Sequence, residues 1–226
     1  MSLIGPIGGR TRIKLCGMTR EQDVDAAVAL GIDAIGLVFY GPSPRCVSIE
    51  QAARLVARLP ASIDAVGLFV DAPRAEIDAV LDVVPLTLLQ FHGDETPAQC
   101  AGFRIPYLKA ARVEPGLDLV RFASTFMDAA DPAVALLLDT HTAVYGGSGK
   151  VFDWSLVPPP LIGPAAARRV VLSGGLSAAN VADAIARLRP SAVDTSSGIE
   201  SAKGIKDATA MRDFVAAVRA ADQTAS

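Results

Sequence analysis

Short apolar runs alternate along the chain with longer segments whose apolar residues recur at helical spacing. Eight such runs, each of four to six residues, predict β-strands at 12–16, 34–39, 65–70, 87–91, 107–110, 134–139, 170–173 and 192–195. The intervening segments predict helices at 20–30, 48–58, 73–81, 97–102, 117–127, 177–188 and 207–220. The segment 141–169 is long and rich in glycine and proline, and it predicts at most a short helix, near Trp154 or at 165–169.

Strands that alternate with helices indicate a parallel sheet with right-handed crossovers. Eight repeats favour a closed barrel over an open, doubly wound sheet, in which a GxGxxG turn commonly follows the first strand. Here the first strand continues into CGMT at 16–19, which contains no such turn. The sequence therefore predicts an α/β protein with a single (β/α)8 TIM-barrel domain over 1–226, in which 1–11 form a short N-terminal extension.

Two predicted helix starts carry capping signals. Thr19 precedes the first helix and is a candidate N-cap. Ser48 precedes the second helix and is followed three residues later by Gln51, which is the spacing of a capping box. We therefore expect both helices to begin directly after these residues.

Composition and charge narrow the classes of partner. Hydrophobic residues make up 51% of the 226 residues, enough for a large core. The net charge of −3 disfavours nucleic acid or a membrane surface as a partner, because both select a basic face. The uncharged apolar run 133–138 is far shorter than a membrane span, and the N-terminus lacks a signal-peptide pattern. A cytoplasmic location is therefore expected.

The three cysteines, Cys16, Cys46 and Cys100, are widely spaced and do not suggest a disulfide framework. The chain contains no CxxC pair and no HExxH motif, so no metal site is predicted.

In a barrel of this kind, catalytic groups lie at the carboxyl ends of the strands. Cys16 ends the first strand and is either a packed thiol or a functional group. Lys14 lies two residues earlier and points to the same side of the strand, as a polar core residue or towards the barrel mouth. His92 follows the fourth strand and fits a structural group, a ligand contact or an acid–base residue.

Two further residues carry charge at the strand ends. Asp139 ends the strongly apolar sixth strand, where partial desolvation would help a carboxyl group to hold its proton, as a general acid requires. Arg45 follows the second strand in a loop stiffened by two prolines, and it is either a solvated charge or a bidentate site for a carboxylate or phosphate.

Small residues follow the last two strands. The segments 173–177 and 194–198 are rich in glycine and serine, and barrels often bind phosphate between these two loops. The glycine-rich stretch 145–150 is not a P-loop, because Val151 stands where a magnesium-binding Ser or Thr would be, but it suits a loop that closes over a substrate.

Several motifs occur in a fixed order from residue 13 onwards. They are KLCGMT at 14–19, GLVF at 36–39 with SPR at 43–45, VGLFVD at 66–71, LQFHG at 89–93, LD at 138–139 with GGSGK at 146–150, LSGGL at 172–176 with Asn180, and VDTSSG at 193–198 with KD at 206–207. This set closely resembles the phosphoribosylanthranilate isomerase family of tryptophan biosynthesis.

The resemblance implies an intramolecular oxidoreductase that performs an Amadori rearrangement without a cofactor. N-(5′-phosphoribosyl)anthranilate would become 1-(2-carboxyphenylamino)-1-deoxyribulose 5-phosphate. By the same resemblance, Asp139 would protonate the furanose ring oxygen as general acid, and Cys16 would remove the C2′ proton as general base. Because the thiol must ionise, its pKa is expected to be lowered by nearby positive charge, with Lys14 as the first candidate.

The resemblance also assigns binding residues. Arg45 would bind the anthranilate carboxylate, and His92 and Lys14 would contact the substrate, His92 as a binding or shape contact. Backbone amides of four residues would hold the phosphate, namely Gly174, Gly175, Ser197 and Gly198. The partner would be this small phosphoribosyl substrate, with no nucleic acid, no membrane and no metal, and the chain would be a monomer or a homodimer.

Three alternatives remain open. A related sugar-phosphate epimerase is disfavoured because two histidines are too few for its metal-binding set. A phosphoribosyl imidazole isomerase is disfavoured because Cys16 ends the first strand, where that enzyme would carry an aspartate. A non-catalytic phosphosugar-binding barrel would keep the phosphate loops and would not need both Cys16 and Asp139.

Overall fold

In the computed structural model, which describes residues 3–4, 10–140, 151–162 and 169–224, eight parallel strands form a closed barrel in sequential order. The strands are β1 Arg12–Cys16, β2 Ala34–Val38, β3 Asp64–Phe69, β4 Leu88–Phe91, β5 Tyr107–Val113, β6 Ala135–Thr140, β7 Val170–Leu172 and β8 Ala192–Thr195. Pairing of β1 with β8 closes the sheet. The predicted barrel is confirmed, and each of its strands overlaps a predicted range.

Helices follow most strands. They are α1 Glu21–Ala29, α2 Ile49–Val56, α3 Arg74–Leu81, α4 Pro97–Cys100, α5 Leu119–Met127, α6 Val181–Leu188 and α7 Ala208–Thr224. Between β6 and β7, the described residues form 3-10 turns at Trp154–Leu156 and Pro159–Leu161, so the short helix expected near Trp154 is a single 3-10 turn. Most of the alternative range, 165–169, lies outside the described residues.

The period of two along each strand divides the core into layers. Alternate residues such as Ile13 and Leu15 pack outward against the helices in the largest apolar cluster. The opposite residues point into the barrel, where a lower apolar layer includes Ala34, Leu137 and Ala192. The same inward positions nearer the carboxyl ends of the strands carry polar side chains. The fold thereby gathers the chemically active groups at one end of the barrel.

The capping of α1 and α2 differs from the prediction, although α2 begins directly after Ser48 as expected. Thr19 does not cap α1; its hydroxyl donates a hydrogen bond to the Gly204 carbonyl, and Arg20 takes the N-cap position without a side-chain bond. Ser48 does cap α2, accepting from the Gln51 amide at 3.2 Å, but the Gln51 side chain donates to the Thr19 carbonyl and does not complete a capping box. In both cases a tertiary contact replaces the local one.

The start of α6 was also predicted too early. The Asn180 side chain accepts from the Ser177 amide at 2.8 Å and donates to the Gly175 carbonyl at 3.0 Å. These bonds hold 177–180 in a turn, so the helix begins at Val181. A small antiparallel hairpin between β8 and α7, formed by β9 Glu200–Ala202 and β10 Ile205–Lys206, was not predicted.

Leu3 closes the lower end of the barrel. Its side chain is 2% exposed and belongs to the interior apolar cluster with Ala34 and Ala192. Its amide donates to Asp64 Oδ2 at 2.7 Å, at the start of β3. Part of the predicted N-terminal extension is therefore a stopper for the barrel floor. Among the described residues, no helix has the length and apolarity that a membrane crossing requires.

Replacing Leu3 by Ala is expected to lower the free energy of unfolding by about 2 kcal/mol, because it removes buried apolar surface and leaves a void in the floor. Urea denaturation followed by circular dichroism measures this change. Val83→Ala, at a residue with 56% exposure, is the matched control and is expected to change stability little. Equal stability of Leu3→Ala and the original protein would contradict the stopper role.

Candidate active site

A cavity opens at the carboxyl ends of the barrel strands. Its lining consists of Cys16, Val38, Tyr40, Ser43, Arg45, Leu68, Val70, Gln90, His92, Asp139, Ser173, Gly174, Gly175, Leu176, Asp194, Thr195, Ser196 and Ser197. Seven of the nine site residues proposed from the sequence are in this set. The other two, Lys14 and Gly198, lie next to lining residues. The structure therefore brings the proposed groups together around one cavity.

Cys16 lies on the inner wall, at the end of β1, and is 5% exposed. It packs in an upper apolar cluster with Val38, Leu68 and Val70. On the neighbouring strand, Gly36 is its register partner, and a Cβ built there would come within 2.5 Å of the Cys16 sulfur. The missing side chain at Gly36 is therefore what leaves room for the thiol.

Lys14 lies below the cavity lining and points into the barrel interior, where it is fully buried. Its Nζ is 2.9 Å from Asp194 Oδ1, and the two residues are register partners on β1 and β8. Ser173 donates to the other oxygen of Asp194 at 3.1 Å. The ammonium of Lys14 is therefore held by Asp194 beneath Cys16, and contact between Lys14 and the substrate stays a prediction.

The protonation balance of Cys16 departs from the expectation. Burial raises the pKa of the thiol above its ordinary value, and this outweighs the opposing effect of the Lys14 charge. Asp194 also raises the pKa of Cys16, whereas Lys206 lowers it. The predicted lowering was wrong in net direction because the site is dry and because the nearest cation already has an anionic partner.

His92 links two polar side chains across the cavity. Its Nε2 lies 3.0 Å from Asp139 Oδ2, and its Nδ1 lies 2.8 Å from the Gln90 amide nitrogen. With that nitrogen donating to Nδ1, the ring carries its hydrogen on Nε2 and donates to Asp139. The other oxygen of Asp139 accepts from the Thr140 amide at 2.8 Å. The carboxyl group is thus fixed in orientation from both sides.

Gln90 is fully buried on β4, two residues before His92 and on the same face of the strand. Its Oε1 is buried and has no hydrogen-bond partner within the described part of the chain. An unsatisfied buried acceptor is costly unless a ligand supplies the donor. Gln90 was not proposed from the sequence, although a polar residue at an inward position of an otherwise apolar strand is a usable signal of a functional group.

Arg45 reaches the cavity from the loop after β2. Its Nε and Nη2 each donate to one oxygen of Glu200, both at 2.7 Å. Lys206 donates to Glu200 Oε1 at 2.9 Å and is itself fully buried at its side chain. Glu200 and Lys206 were not proposed from the sequence, because Glu200 pairs with the distant Arg45 and because the hairpin that carries both residues was not predicted.

The loops after β7 and β8 also line the cavity. Gly174, Gly175 and Ser197 line it, and Gly198 follows directly within the 3-10 turn Ser197–Ile199. Within the ranges that the structure describes, no backbone carbonyl accepts from the amides of Gly175, Ser197 or Gly198. Backbone amides without a carbonyl acceptor suit an anion.

Two other features bear on the sequence predictions. The glycine-rich stretch 145–150, proposed as a closing loop, lies outside the described residues. In the described part of the chain, no three His, Cys, Asp or Glu side chains are grouped so as to hold a metal ion.

Known proteins resemble this chain over nearly its whole length. The family model for N-(5′-phosphoribosyl)anthranilate (PRA) isomerase matches residues 13–217. A protein of Methylibium petroleiphilum named N-(5′-phosphoribosyl)anthranilate isomerase is 59% identical over 94% of this chain and 96% of its own length. The crystal structure of phosphoribosyl anthranilate isomerase from Thermotoga maritima superposes with a TM-score of 0.83 at 39% identity, covering 93% of this chain and 99% of that one.

A further solved structure shows such an isomerase with a ligand. It is phosphoribosyl anthranilate isomerase in complex with reduced 1-(o-carboxyphenylamino)-1-deoxyribulose 5-phosphate. It has a TM-score of 0.80 and 36% identity, and the match covers 93% of this chain and 99% of that one.

Replacing Lys14 by Met is expected to raise the pKa of Cys16 further, because the Lys14 charge and hydrogen bond both lower it. The rate of Cys16 alkylation by iodoacetamide, followed by mass spectrometry of its peptide, should then rise at higher pH than in the original protein. The double variant Lys14→Met/Asp194→Asn should shift less, since Asp194 acts in the opposite direction. Lys203→Met, at an exposed position, is the control; an unchanged profile in Lys14→Met would refute the coupling.

Proposed function

The chain belongs to the PRA isomerase family, and we propose that Asp139 and Cys16 are the general acid and general base of its isomerisation of N-(5′-phosphoribosyl)anthranilate in tryptophan biosynthesis. The observation that carries this assignment is their common position on one cavity, at the carboxyl ends of β6 and β1, where the loops after the neighbouring strands β7 and β8 also line it. A carboxyl group and a thiol in such an arrangement suit successive proton transfers at adjacent atoms of a sugar phosphate.

Asp139 acts first. Its carboxylic acid gives a proton to the furanose ring oxygen, the bond from that oxygen to C1′ breaks with the electron pair remaining on oxygen, and a protonated imine forms at C1′. The carboxylate left behind accepts from the Thr140 amide and faces His92 Nε2. Both donors are already in place, so the new charge is met without rearrangement.

Cys16 acts next, as the thiolate. It removes the proton from C2′, and the electron pair of the C–H bond passes to the protonated imine, which becomes a neutral enolamine. The enolamine then tautomerises to the ketone: the C2′ hydroxyl loses its proton and C1′ gains one. Burial raises the pKa of Cys16 and so opposes its ionisation. The positive charges of the imine and of Lys14 act in the opposite direction and favour the thiolate.

His92 serves as a positioning contact and does not itself carry the proton. Its ring is held between Gln90 and Asp139, so it fixes the direction in which Asp139 presents its acidic oxygen. Gln90 lines the same cavity, and its unpaired acceptor suits a ribose hydroxyl.

The remaining groups bind the two ends of the substrate. Arg45 takes the anthranilate carboxylate. The amides of Gly174, Gly175, Ser197 and Gly198 take the phosphate. The apolar wall of Val38, Leu68 and Val70 beside Cys16 suits the aromatic ring. A cytoplasmic location, and a monomeric or homodimeric state, stay predictions.

Separate replacement of the acid and the base tests this assignment. Cys16→Ala and Asp139→Asn are each expected to lower kcat by about 10²- to 10⁴-fold, because each removes one proton transfer. The loss of substrate fluorescence measures turnover, and calorimetry with the reduced product should give a Kd close to the original value. Cys46→Ser and Asp82→Asn, both at exposed positions, are the matched controls. Near-normal turnover in either active-site variant would sink the mechanism.

His92→Asn gives a separate test of the positioning role. It should lower kcat by roughly 10- to 100-fold, since it removes one hydrogen bond to a group that becomes charged. In the Asp139→Asn background the same change should have little further effect, because His92 acts through Asp139. Additive losses in the double variant would instead indicate an independent proton-transfer role for His92.

A further inference from the structure

Arg45 shares a buried carboxylate with a second cation. Glu200 accepts four hydrogen bonds: from Arg45 Nε and Nη2 at 2.7 Å each, from Lys206 Nζ at 2.9 Å and from the Gly204 amide at 3.3 Å. The side chains of Arg45, Glu200 and Lys206 are 6%, 5% and 0% exposed. Two cations and one anion leave this cluster with one net positive charge at the cavity wall.

The donor geometry of Arg45 leaves one edge of its guanidinium for a ligand. The group has five N–H donors in a planar fork. Glu200 uses one hydrogen on Nε and one on Nη2. Of the other three, one on Nη1 and one on Nη2 are parallel and form the edge that a carboxylate binds with two hydrogen bonds. Arg45 lines the cavity, and this edge is the one that its pairing with Glu200 leaves for a substrate.

Glu200 is itself firmly held. Burial alone would raise its pKa, but the hydrogen bonds from Arg45 and Lys206 outweigh burial, and the pKa is lowered. The hairpin that carries Glu200 is also tied to the loop after β1, because the Thr19 hydroxyl donates to the Gly204 carbonyl. Glu200 is therefore a fixed backing group for Arg45 and not a mobile surface carboxylate.

The other side of Arg45 is fitted just as closely. Gly17 has a φ of +76°, and a Cβ built on it would come within 2.5 Å of Arg45 Cδ. The Arg45 chain thus passes directly over the backbone after β1, with Glu200 behind its head group. Few other orientations of the guanidinium are compatible with these contacts.

We propose that Glu200 is the positioning residue that makes the site selective for an aryl amine bearing a ring carboxylate, by fixing Arg45 with its free edge towards that carboxylate. This inference rests on the proposed role of Arg45 as the carboxylate-binding group. Glu200 does not touch the substrate. Its influence is expected on the discrimination between ligands with and without the carboxylate.

Two stable ligands test the proposal. One is the reduced product, 1-(o-carboxyphenylamino)-1-deoxyribulose 5-phosphate in its reduced form, and the other is the same compound without the ring carboxylate. Calorimetry gives the Kd of each for the original protein and for Glu200→Gln, Glu200→Asp, Arg45→Met and Arg45→Met/Glu200→Gln. Glu200→Gln removes the charge at nearly constant shape, whereas Glu200→Asp keeps the charge and shortens the reach. Lys203→Gln, exposed in the turn of the same hairpin, is the control.

Both Glu200 variants should reduce the preference for the carboxylate ligand by about tenfold or more, the scale of one charge-assisted hydrogen bond. The Kd of the ligand without the carboxylate should stay within about threefold, because the phosphate loops are unaffected. Arg45→Met should abolish the preference, and adding Glu200→Gln to it should change nothing further, because Glu200 acts through Arg45.

Four results would overturn the proposal. A stronger preference in Glu200→Gln would mean that Glu200 competes with the substrate for Arg45. Equal weakening of both ligands would mean a structural role only. A preference for the carboxylate ligand that survives in Arg45→Met would remove the proposed role of Arg45 and this inference with it. Loss of that preference in Arg45→Met, with the Glu200 variants unchanged, would remove the inference only.

Discussion

The ion pair between Lys14 and Asp194 is the interaction on which the rest of the site depends. A closed barrel turns every second residue into a dry interior, and a lysine in that interior is tolerated only with a carboxylate against it. Because β1 and β8 are neighbours in the closed sheet, the register itself places Asp194 opposite Lys14. Breaking such a pair costs about 3–5 kcal/mol, so the closure of the barrel and the charges under Cys16 are fixed together.

The same pairing of buried charges recurs around the rim and holds the loops there. Lys109 is bound to Glu95 at 2.8 Å, and Glu95 also accepts from the Asp71 and Gly93 amides, which fixes the loop beside His92. In the same way, the pairing of Glu200 with Arg45 and Lys206 fixes the loop after β2 and the β9–β10 hairpin. Lys14 and Arg45 therefore each have a carboxylate from a distant part of the chain, and the electrostatic field at the cavity is set before binding.

The sequence was sufficient for features that depend on local periodicity and on motif order. The eight strands, their parallel order and the rim positions of Cys16 and Asp139 follow from period-two alternation and from the position of each residue at a strand end. It was insufficient where a distant partner decides the outcome. Thr19 looks like an N-cap until Gly204 claims its hydroxyl, and the pKa of Cys16 depends on burial that no local pattern measures. The pairing of Arg45 with Glu200 was not predicted for the same reason, because the two residues lie far apart in the sequence.

Leu3 has a consequence for the order in which the chain acquires its structure. It precedes every strand, yet the cluster that buries it includes Val171 and Ala192, on the last two strands. An early segment that contacts the latest ones adds contacts of the largest sequence separation, and such contacts form slowly because a long loop must close first. Leu3 can be shielded from water only when β7 and β8 have joined the sheet. A fluorescent reporter attached beside this residue would therefore register completion of the barrel and not its early collapse.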